Sequence, residues 1–177
     1  TAWCPRRSAP WPNGAAARAF RACERALDAP FGARANPLRQ LGALSFHLFW
    51  IVAVSGIYVY VFFDTSVSGA YASVEALATE QKWAGGLMRS LHRYASDALV
   101  VTLLLHVARE WAYGRFHGFR WFSWITGVPL AWLAIASGVT GYWLVWDQLA
   151  VFVAVATTEW FGALPGVPGA YVNACAR

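Results

Sequence analysis

The sequence predicts an all-α integral membrane protein, a bundle containing three transmembrane helices, with amphipathic helices along the membrane surfaces. Composition favours this class, since 58% of the 177 residues are hydrophobic, 16% are aromatic and only 13% are charged. The apolar residues also come in blocks. Residues 41–63 and 122–146 contain no Asp, Glu, Lys or Arg over 23 and 25 residues, and about 20 apolar residues suffice to cross a bilayer.

Residues 1–40 form the predicted N-terminal segment, on the cytoplasmic side. After a start rich in Pro and Arg, residues 15–29 have helical spacing, and arginines flank an apolar stripe. We expect an amphipathic helix on the anionic inner membrane surface, with a plain solvated helix as the alternative. The predicted stripe consists of Phe20, Cys23 and Leu27.

Residues 41–148 hold the three predicted spans, named A, B and C in chain order. Span B, from about Leu87 to Tyr113, is the least apolar, because only 15 residues separate Arg93 from Arg109 and Asp97 lies among them. Arginines at both ends of a span can reach the interfaces, so this segment can still cross. Taken alone, it is also compatible with a buried helix of a soluble protein. A short helix is predicted in the A–B loop, over residues 72–80.

Residues 149–177 are predicted to form an amphipathic helix on the outer face, to about Phe161, followed by a tail rich in Gly and Pro. The chain has no initiator Met and stops where a fourth span is expected, so we interpret it as part of a longer polypeptide. Arginines precede span A and follow span B, while most acidic residues lie on the other side. The positive-inside rule therefore predicts a cytoplasmic N-terminus in a bacterial inner membrane, and the net charge of +5 requires no nucleic acid partner.

Two histidines of span B, His92 and His106, are 14 residues apart, and the neighbouring spans repeat this interval in glycine. Fourteen helical residues make almost four turns and rise about 21 Å, so each pair faces one direction at two depths of the bilayer. Imidazole ligates haem iron, and glycine lets a flat macrocycle approach the backbone. The pattern predicts two stacked haems. The glycine pairs are Gly42 with Gly56 on span A and Gly127 with Gly141 on span C.

Arginines lie beside both predicted ligands: Arg89 and Arg93 near His92, and Arg109 near His106. Haem propionates are carboxylates, which arginine binds in a bidentate manner. Anchoring at the membrane interface is the alternative role, and the two are compatible. None of the three cysteines belongs to a Cys-x-x-Cys-His motif, so the haems are expected to be b-type.

Three further polar residues have weaker functional signals. His47 lies about 140° from Gly42 around span A, so we expect a packed or lipid-facing side chain. His117, in the basic connection between spans B and C, is expected to be solvated. Asp97 faces away from the haem of His92, and a proton relay or a polar contact with another subunit explains it equally well.

The stretch from Gly86 through His92 and His106 to Arg109 resembles the second membrane helix of the cytochrome b family. That family provides the dihaem subunit of cytochrome bc complexes and of their plastoquinol-oxidising relatives. Residues 124–127 and 138–148 resemble its third helix and the start of the helix at its outer quinol site. The resemblance covers about residues 36–170 and is strongest to the plastoquinol branch.

This resemblance implies a four-helix dihaem bundle in which helices B and D each supply two histidines. His92 would ligate the low-potential haem near the positive side, and His106 the high-potential haem near the negative side. Arg89 and Arg109 match the family's propionate-binding arginines, and the four glycines match those against which the haems lie. We also place Arg93 and Trp124 in the expected haem-binding set.

The chain departs from the family pattern at several points. No fourth helix is present, so the second axial ligand of each haem lies outside these residues. Val145 stands where the family usually has proline, and Gln40 where the plastoquinol branch has a cysteine for an extra covalent haem, which we therefore do not expect. The Pro-Glu-Trp-Tyr motif of the quinol-oxidation site is absent.

The sequence favours a dihaem b-type cytochrome that moves electrons between quinol and quinone sites in a respiratory or photosynthetic complex resembling quinol:cytochrome c oxidoreductase. Expected partners are membrane lipid, other membrane subunits supplying further helices, and a Rieske iron–sulfur protein with a c-type cytochrome. The alternative is a haem-bearing membrane anchor of another dehydrogenase or reductase that exchanges electrons with the quinone pool.

Overall fold

The computed structural model describes residues 14–116 and 118–163. Across these two ranges the chain folds into six α-helices and one 3₁₀ turn, with no strand. The expectations for the start of the chain, for His117 and for the tail from residue 164 concern residues outside these ranges. The helices are α1 (Gly14–Ala35), α2 (Leu41–Val61), α3 (Ala70–Thr79), α4 (Ala84–Ala112), α5 (Trp121–Trp143) and α6 (Gln148–Gly162), with the 3₁₀ turn at Gly118–Arg120.

Helix α1 is longer than the sequence predicts, because it continues through Pro30 and across a kink at Gly32, where φ is +73°. Its packed face is also rotated by one residue from the predicted stripe. Glu24 is buried on this face, whereas Cys23 is exposed, and contact of the predicted stripe with the membrane surface stays a prediction. The physical reason for the rotated face is an ion pair: Glu24 turns inward to meet a buried arginine of α4.

The junction between α1 and α2 is fixed by Asn36, which is fully buried. Its amide nitrogen donates to the carbonyl oxygen of Glu24 at 2.8 Å and to the carboxylate of Asp28 at 2.7 Å. Its amide oxygen accepts from the backbone N–H of Leu38 at 3.0 Å. Arg39 closes the junction with a 2.7 Å ion pair to Asp28. Buried polar atoms are costly unless paired, so this network determines where α2 begins.

Two stretches of the described chain are helical, long and apolar enough to cross a membrane, Leu41–Val61 and Gly118–Trp143. They correspond to predicted spans A and C. Helix α4 has 29 residues and is long enough, but its charged side chains keep it below the apolarity of a typical span. The three-span count therefore remains a prediction.

The end of α5 lies at Trp143, three residues before the predicted end of span C at Trp146. Trp146 has a φ of +55°, a left-handed conformation that is uncommon for a residue with a side chain and lies outside the right-handed helical region. The next helix begins at once, because the carboxylate of Asp147 accepts the backbone N–H of Ala150 at 2.6 Å and caps α6. Pro129, by contrast, lies within α5 without ending it.

The chain divides into two compact units, each of which contains one of the two histidines. We call them the His106 unit (the described part of Thr1–Ile51, with Tyr94–Ala134) and the His92 unit (Val52–Arg93, with the described part of Ile135–Arg177). In the His106 unit, the ring of Phe20 on α1 lies 6.4 Å from that of Tyr113, just beyond α4. In the His92 unit, the Tyr58 hydroxyl of α2 donates to Gln81 at 3.0 Å.

Acidification is expected to loosen the C-terminal end of α1. Hydrogen bonds from Arg39 and then from Asn36 hold the pKa of the Asp28 carboxyl below its ordinary value, which is about 3.9. A group with a lowered pKa stabilises the fold above its unfolded-state pKa, and this contribution is lost as the pH falls through the folded-state pKa. The attachment of α1 should therefore be constant down to about pH 4 and weaken below it.

The test is a spin label on the exposed Cys23, with Cys4 and Cys175 replaced by serine, followed by electron paramagnetic resonance during a pH titration. Label mobility should rise below about pH 4, and Asp28→Asn should remove this acid-dependent step. Glu75→Gln, which neutralises an exposed carboxylate on α3, should leave it in place. An unchanged acid step in Asp28→Asn would show that another group controls it.

Candidate haem-binding histidines

In the His92 unit, α2 approaches α4 so closely at Gly56 that no side chain fits between them. A Cβ atom added to Gly56 would lie 2.9 Å from Cε1 and 3.2 Å from Nδ1 of His92. The first distance is shorter than carbon atoms tolerate, so the absence of a side chain at Gly56 is what admits the imidazole. The sequence predicts that Gly56 lies against a haem, and the structure places the ring of His92 directly against it.

The orientation of His92 is set by two hydrogen-bonding atoms of α2. Nδ1 lies 3.0 Å from the carbonyl oxygen of Val52 and 3.2 Å from Oγ of Ser55. A carbonyl oxygen only accepts hydrogen bonds, so Nδ1 carries the ring proton and donates it to Val52. The lone pair of the neutral ring then belongs to Nε2, the atom positioned to ligate a metal.

In the His106 unit, Gly42 has the same relationship to His106, with slightly more space. A Cβ added to Gly42 would lie 3.1 Å from Cε1 and 3.6 Å from both ring nitrogens of His106. Nδ1 of His106 is buried and has no hydrogen-bond partner among residues 14–116 and 118–163. The two histidines therefore share the glycine contact but differ at Nδ1.

The residues around the two α2 glycines explain this difference. Val52 and Ser55 stand four residues and one residue before Gly56. The equivalent positions before Gly42 are Leu38, which precedes the helix, and Leu41. The second site thus has neither a hydroxyl nor a helical carbonyl in the corresponding place.

The glycines of α5 have open surroundings. A Cβ added to Gly127, in the His106 unit, or to Gly141, in the His92 unit, would meet no described atom within 4 Å. A Cβ added to Gly138, which lies outside the 14-residue pattern, would also meet no described atom within 4 Å. Open surroundings therefore do not distinguish Gly127 and Gly141 from other glycines of α5. Trp124, one turn before Gly127, packs edge-on against Phe116 with ring centroids 5.7 Å apart.

Arg109 is buried and paired, in contrast to the other two arginines of the predicted set. Its Nε donates to Glu24 at 2.8 Å, and its Nη1 lies 3.3 Å from Glu110. The side chains of Arg109 and Glu24 are only 10% and 8% exposed. The Arg109 guanidinium also lies 5.0 Å from the centre of the Tyr113 ring, a cation–π distance. These contacts fix its position one turn beyond His106.

Arg89 is half-buried and Arg93 exposed, and neither makes an ion pair with another residue of the described ranges. His47 is exposed on α2, and Asp97 is exposed on α4. Within the described parts of the chain, no three His, Cys, Asp or Glu side chains gather into a potential metal site. The described residues thus contain no multi-residue metal centre, and the ligand roles of His92 and His106 stay predictions.

Two contributors to these sites were not anticipated from the sequence. Ser55 is 1% exposed and contacts His92. The feature of the sequence that could have indicated it is its position directly before Gly56. Glu24 is the buried partner of Arg109. The spacing of Ala17, Phe20 and Glu24 places all three on one helix face, which could have indicated a buried Glu24. A stripe chosen for its apolar residues leaves a glutamate out.

The chain is similar to known proteins over most of its length. A family model described as cytochrome b/b6/petB matches residues 28–174. The cytochrome b6 proteins of Tupiella akineta and Gracilaria tenuistipitata var. liui are each 36% identical to the chain over 133 residues, and that of Chlamydomonas reinhardtii is 34% identical over the same length. The aligned region covers 75% of this chain but 61% of each relative.

The match covers most of the chain and includes both histidines, both glycine pairs and the three arginines. The relatives extend well beyond the aligned region, so similarity is established for this part of their length. On this evidence, the chain belongs to the cytochrome b family.

Proposed function

We propose that this chain is the dihaem-binding part of a b-type cytochrome that passes electrons across a membrane between quinol and quinone sites. The complex would resemble quinol:cytochrome c oxidoreductase. The observation that carries the proposal is the packing of His92 against α2. Gly56 leaves space for the imidazole, and the carbonyl oxygen of Val52 accepts the proton of Nδ1, so the ring lone pair belongs to Nε2.

The residues present fit a b-type haem at each histidine. Nε2 of His92 and of His106 would each ligate one haem iron, and a further ligand of each iron would come from protein outside this chain segment. When bound, haem iron takes up and passes on one electron. The chain's own part is to hold each imidazole in a fixed orientation against α2, so that the ligand does not move when the charge changes.

The arginines are proposed to bind the haem carboxylates. Arg89, three residues before His92, and Arg109, three residues after His106, lie on the same helical face as their histidine. Arg109 is held by Glu24 and keeps unused N–H donors, since guanidinium has five. Arg89 and Arg93 would pair with carboxylates at the His92 site, and Trp124, Gly127 and Gly141 of α5 would line the haems.

We further propose that α4 is a third membrane span and that the N-terminus is cytoplasmic, in a bacterial inner membrane. The two apolar helices support membrane insertion, and the arginines of α1 and of the stretch from Arg109 to Arg120 place most positive charge on one side. Partners of this part would be further membrane subunits or helices that complete the haem ligation, and, in a bc-type complex, a Rieske protein and a c-type cytochrome.

His92→Ala is expected to remove one of two b-type haems and leave the other, because each histidine serves its own site. Reduced-minus-oxidised spectra and haem extraction of the purified intact complex measure this, with about half of the haem lost. His106→Ala should remove the other haem. The control His47→Ala, an exposed histidine of α2, should retain both. Two haems in His92→Ala would refute the ligand assignment.

Gly56→Ala is expected to displace the His92 imidazole, because the new Cβ would lie 2.9 Å from Cε1. Overpacking of this kind costs about 1–3 kcal/mol, and the shift weakens the contact between Nδ1 and Val52. The haem of His92 should be lost more readily on dilution into detergent. In Gly42→Ala the new Cβ would lie 3.1 Å from Cε1 of His106, so this variant should affect the other haem less.

Gly86→Ala on α4 is the matched control, because its Cβ would lie 3.8 Å from the nearest neighbouring atom. It should retain both haems as firmly as the unaltered protein. Equal haem loss in Gly86→Ala and Gly56→Ala would mean that the close approach of α2 to His92 has no role in binding.

A further inference from the structure

We propose that Ser55 is a positioning residue that lowers the midpoint potential of the haem ligated by His92, relative to that of the haem ligated by His106. The inference rests on the proposed function, since it takes both histidines as axial ligands. It goes further by assigning the difference between the two sites to one hydroxyl group of α2.

Ser55, Val52 and His92 are joined by three hydrogen-bonding contacts. The Ser55 hydroxyl donates to the carbonyl oxygen of Val52 at 3.2 Å. Nδ1 of His92 donates to the same carbonyl at 3.0 Å, and Oγ of Ser55, 3.2 Å away, is its second acceptor. Because the hydroxyl gives its own proton to Val52, its oxygen becomes a better acceptor for Nδ1–H.

The bond from Ser55 to Val52 alone is common, since buried serines in helices often bond a carbonyl three or four residues earlier. The additional feature is the contact with the imidazole of a second helix. Ser55 is 1% exposed, so water does not compete for this hydrogen bond, and it is retained in the low-dielectric interior.

Acceptors at Nδ1 change the chemistry at Nε2. Drawing the ring proton towards an acceptor makes the imidazole more basic and a stronger electron donor to the iron. A stronger donor stabilises the ferric over the ferrous state, so the one-electron potential falls. Two acceptors at His92 lower the potential more than one would.

The His106 site lacks this arrangement, because Leu41 occupies the position equivalent to Ser55. Nδ1 of His106 is buried without a partner in the described ranges. Its imidazole is therefore the weaker donor, and its haem the one with the higher potential.

The test is a potentiometric titration of both b-type haems in the intact complex carrying Ser55→Ala. The haem of His92 should shift to higher potential, by up to a tenfold change in the ferric-to-ferrous ratio, which is about 59 mV for one electron. The haem of His106 and the total haem content should not change. Ser55→Thr keeps the hydroxyl and should restore the original potential.

Ser45→Ala is the matched control, because Ser45 is a buried serine of the same helix whose hydroxyl has no partner among the residues described. It should shift neither potential. If Ser55→Ala does not retain its haem, Ser55→Cys provides the measurement, since a thiol is a weaker acceptor and should raise the same potential by a smaller amount.

If both haems are present in Ser55→Ala and their potentials are unchanged, Ser55 does not have the proposed role, although the haem ligation stands. Where the alanine variant loses haem, the same result in Ser55→Cys leads to the same conclusion. A lower potential would overturn the role of Ser55 as well. Failure of the proposed function has a different signature, namely an unaltered complex whose b-type haem content does not depend on His92 and His106.

Discussion

The hydrogen bond between Nδ1 of His92 and the carbonyl oxygen of Val52 is the interaction on which the His92 site depends. It selects the ring tautomer, so that the lone pair of the neutral ring belongs to Nε2. The bond exists only because Gly56 brings the two helices into contact at this level. A side chain at that position would separate the imidazole from its acceptor, so the glycine and the histidine act as one structural element.

The same pairing of an α2 glycine with an α4 histidine occurs in both compact units. Gly42 with His106 lies in one, and Gly56 with His92 in the other. The repeat is incomplete, however. The His92 ring is anchored by a carbonyl and a hydroxyl of α2, whereas the firmest element near His106 is the buried ion pair of Arg109 with Glu24. A two-fold pattern of backbone contacts thus supports two sites with different polar surroundings.

Much of this arrangement could be predicted from the sequence, because helical geometry converts a 14-residue interval into a shared face. The helices α2, α4 and α5, the two histidines and the partner glycines all follow from that periodicity. The polar contacts did not follow. An apolar stripe is chosen by hydrophobicity, which leaves Glu24 out of it, and the partner of Glu24 lies 85 residues away. Ser55 was missed because spacing shows which faces meet but not which hydroxyl reaches a neighbouring ring.

The most direct test is the number and ligation of haems in the purified intact protein. Pyridine haemochrome analysis together with low-temperature electron paramagnetic resonance should show two b-type haems per chain, both low-spin and ligated by two imidazoles, that titrate as two one-electron steps. A single haem per chain, or iron centres whose spectra lack imidazole ligation, would contradict the assignment of His92 and His106 to two haem sites.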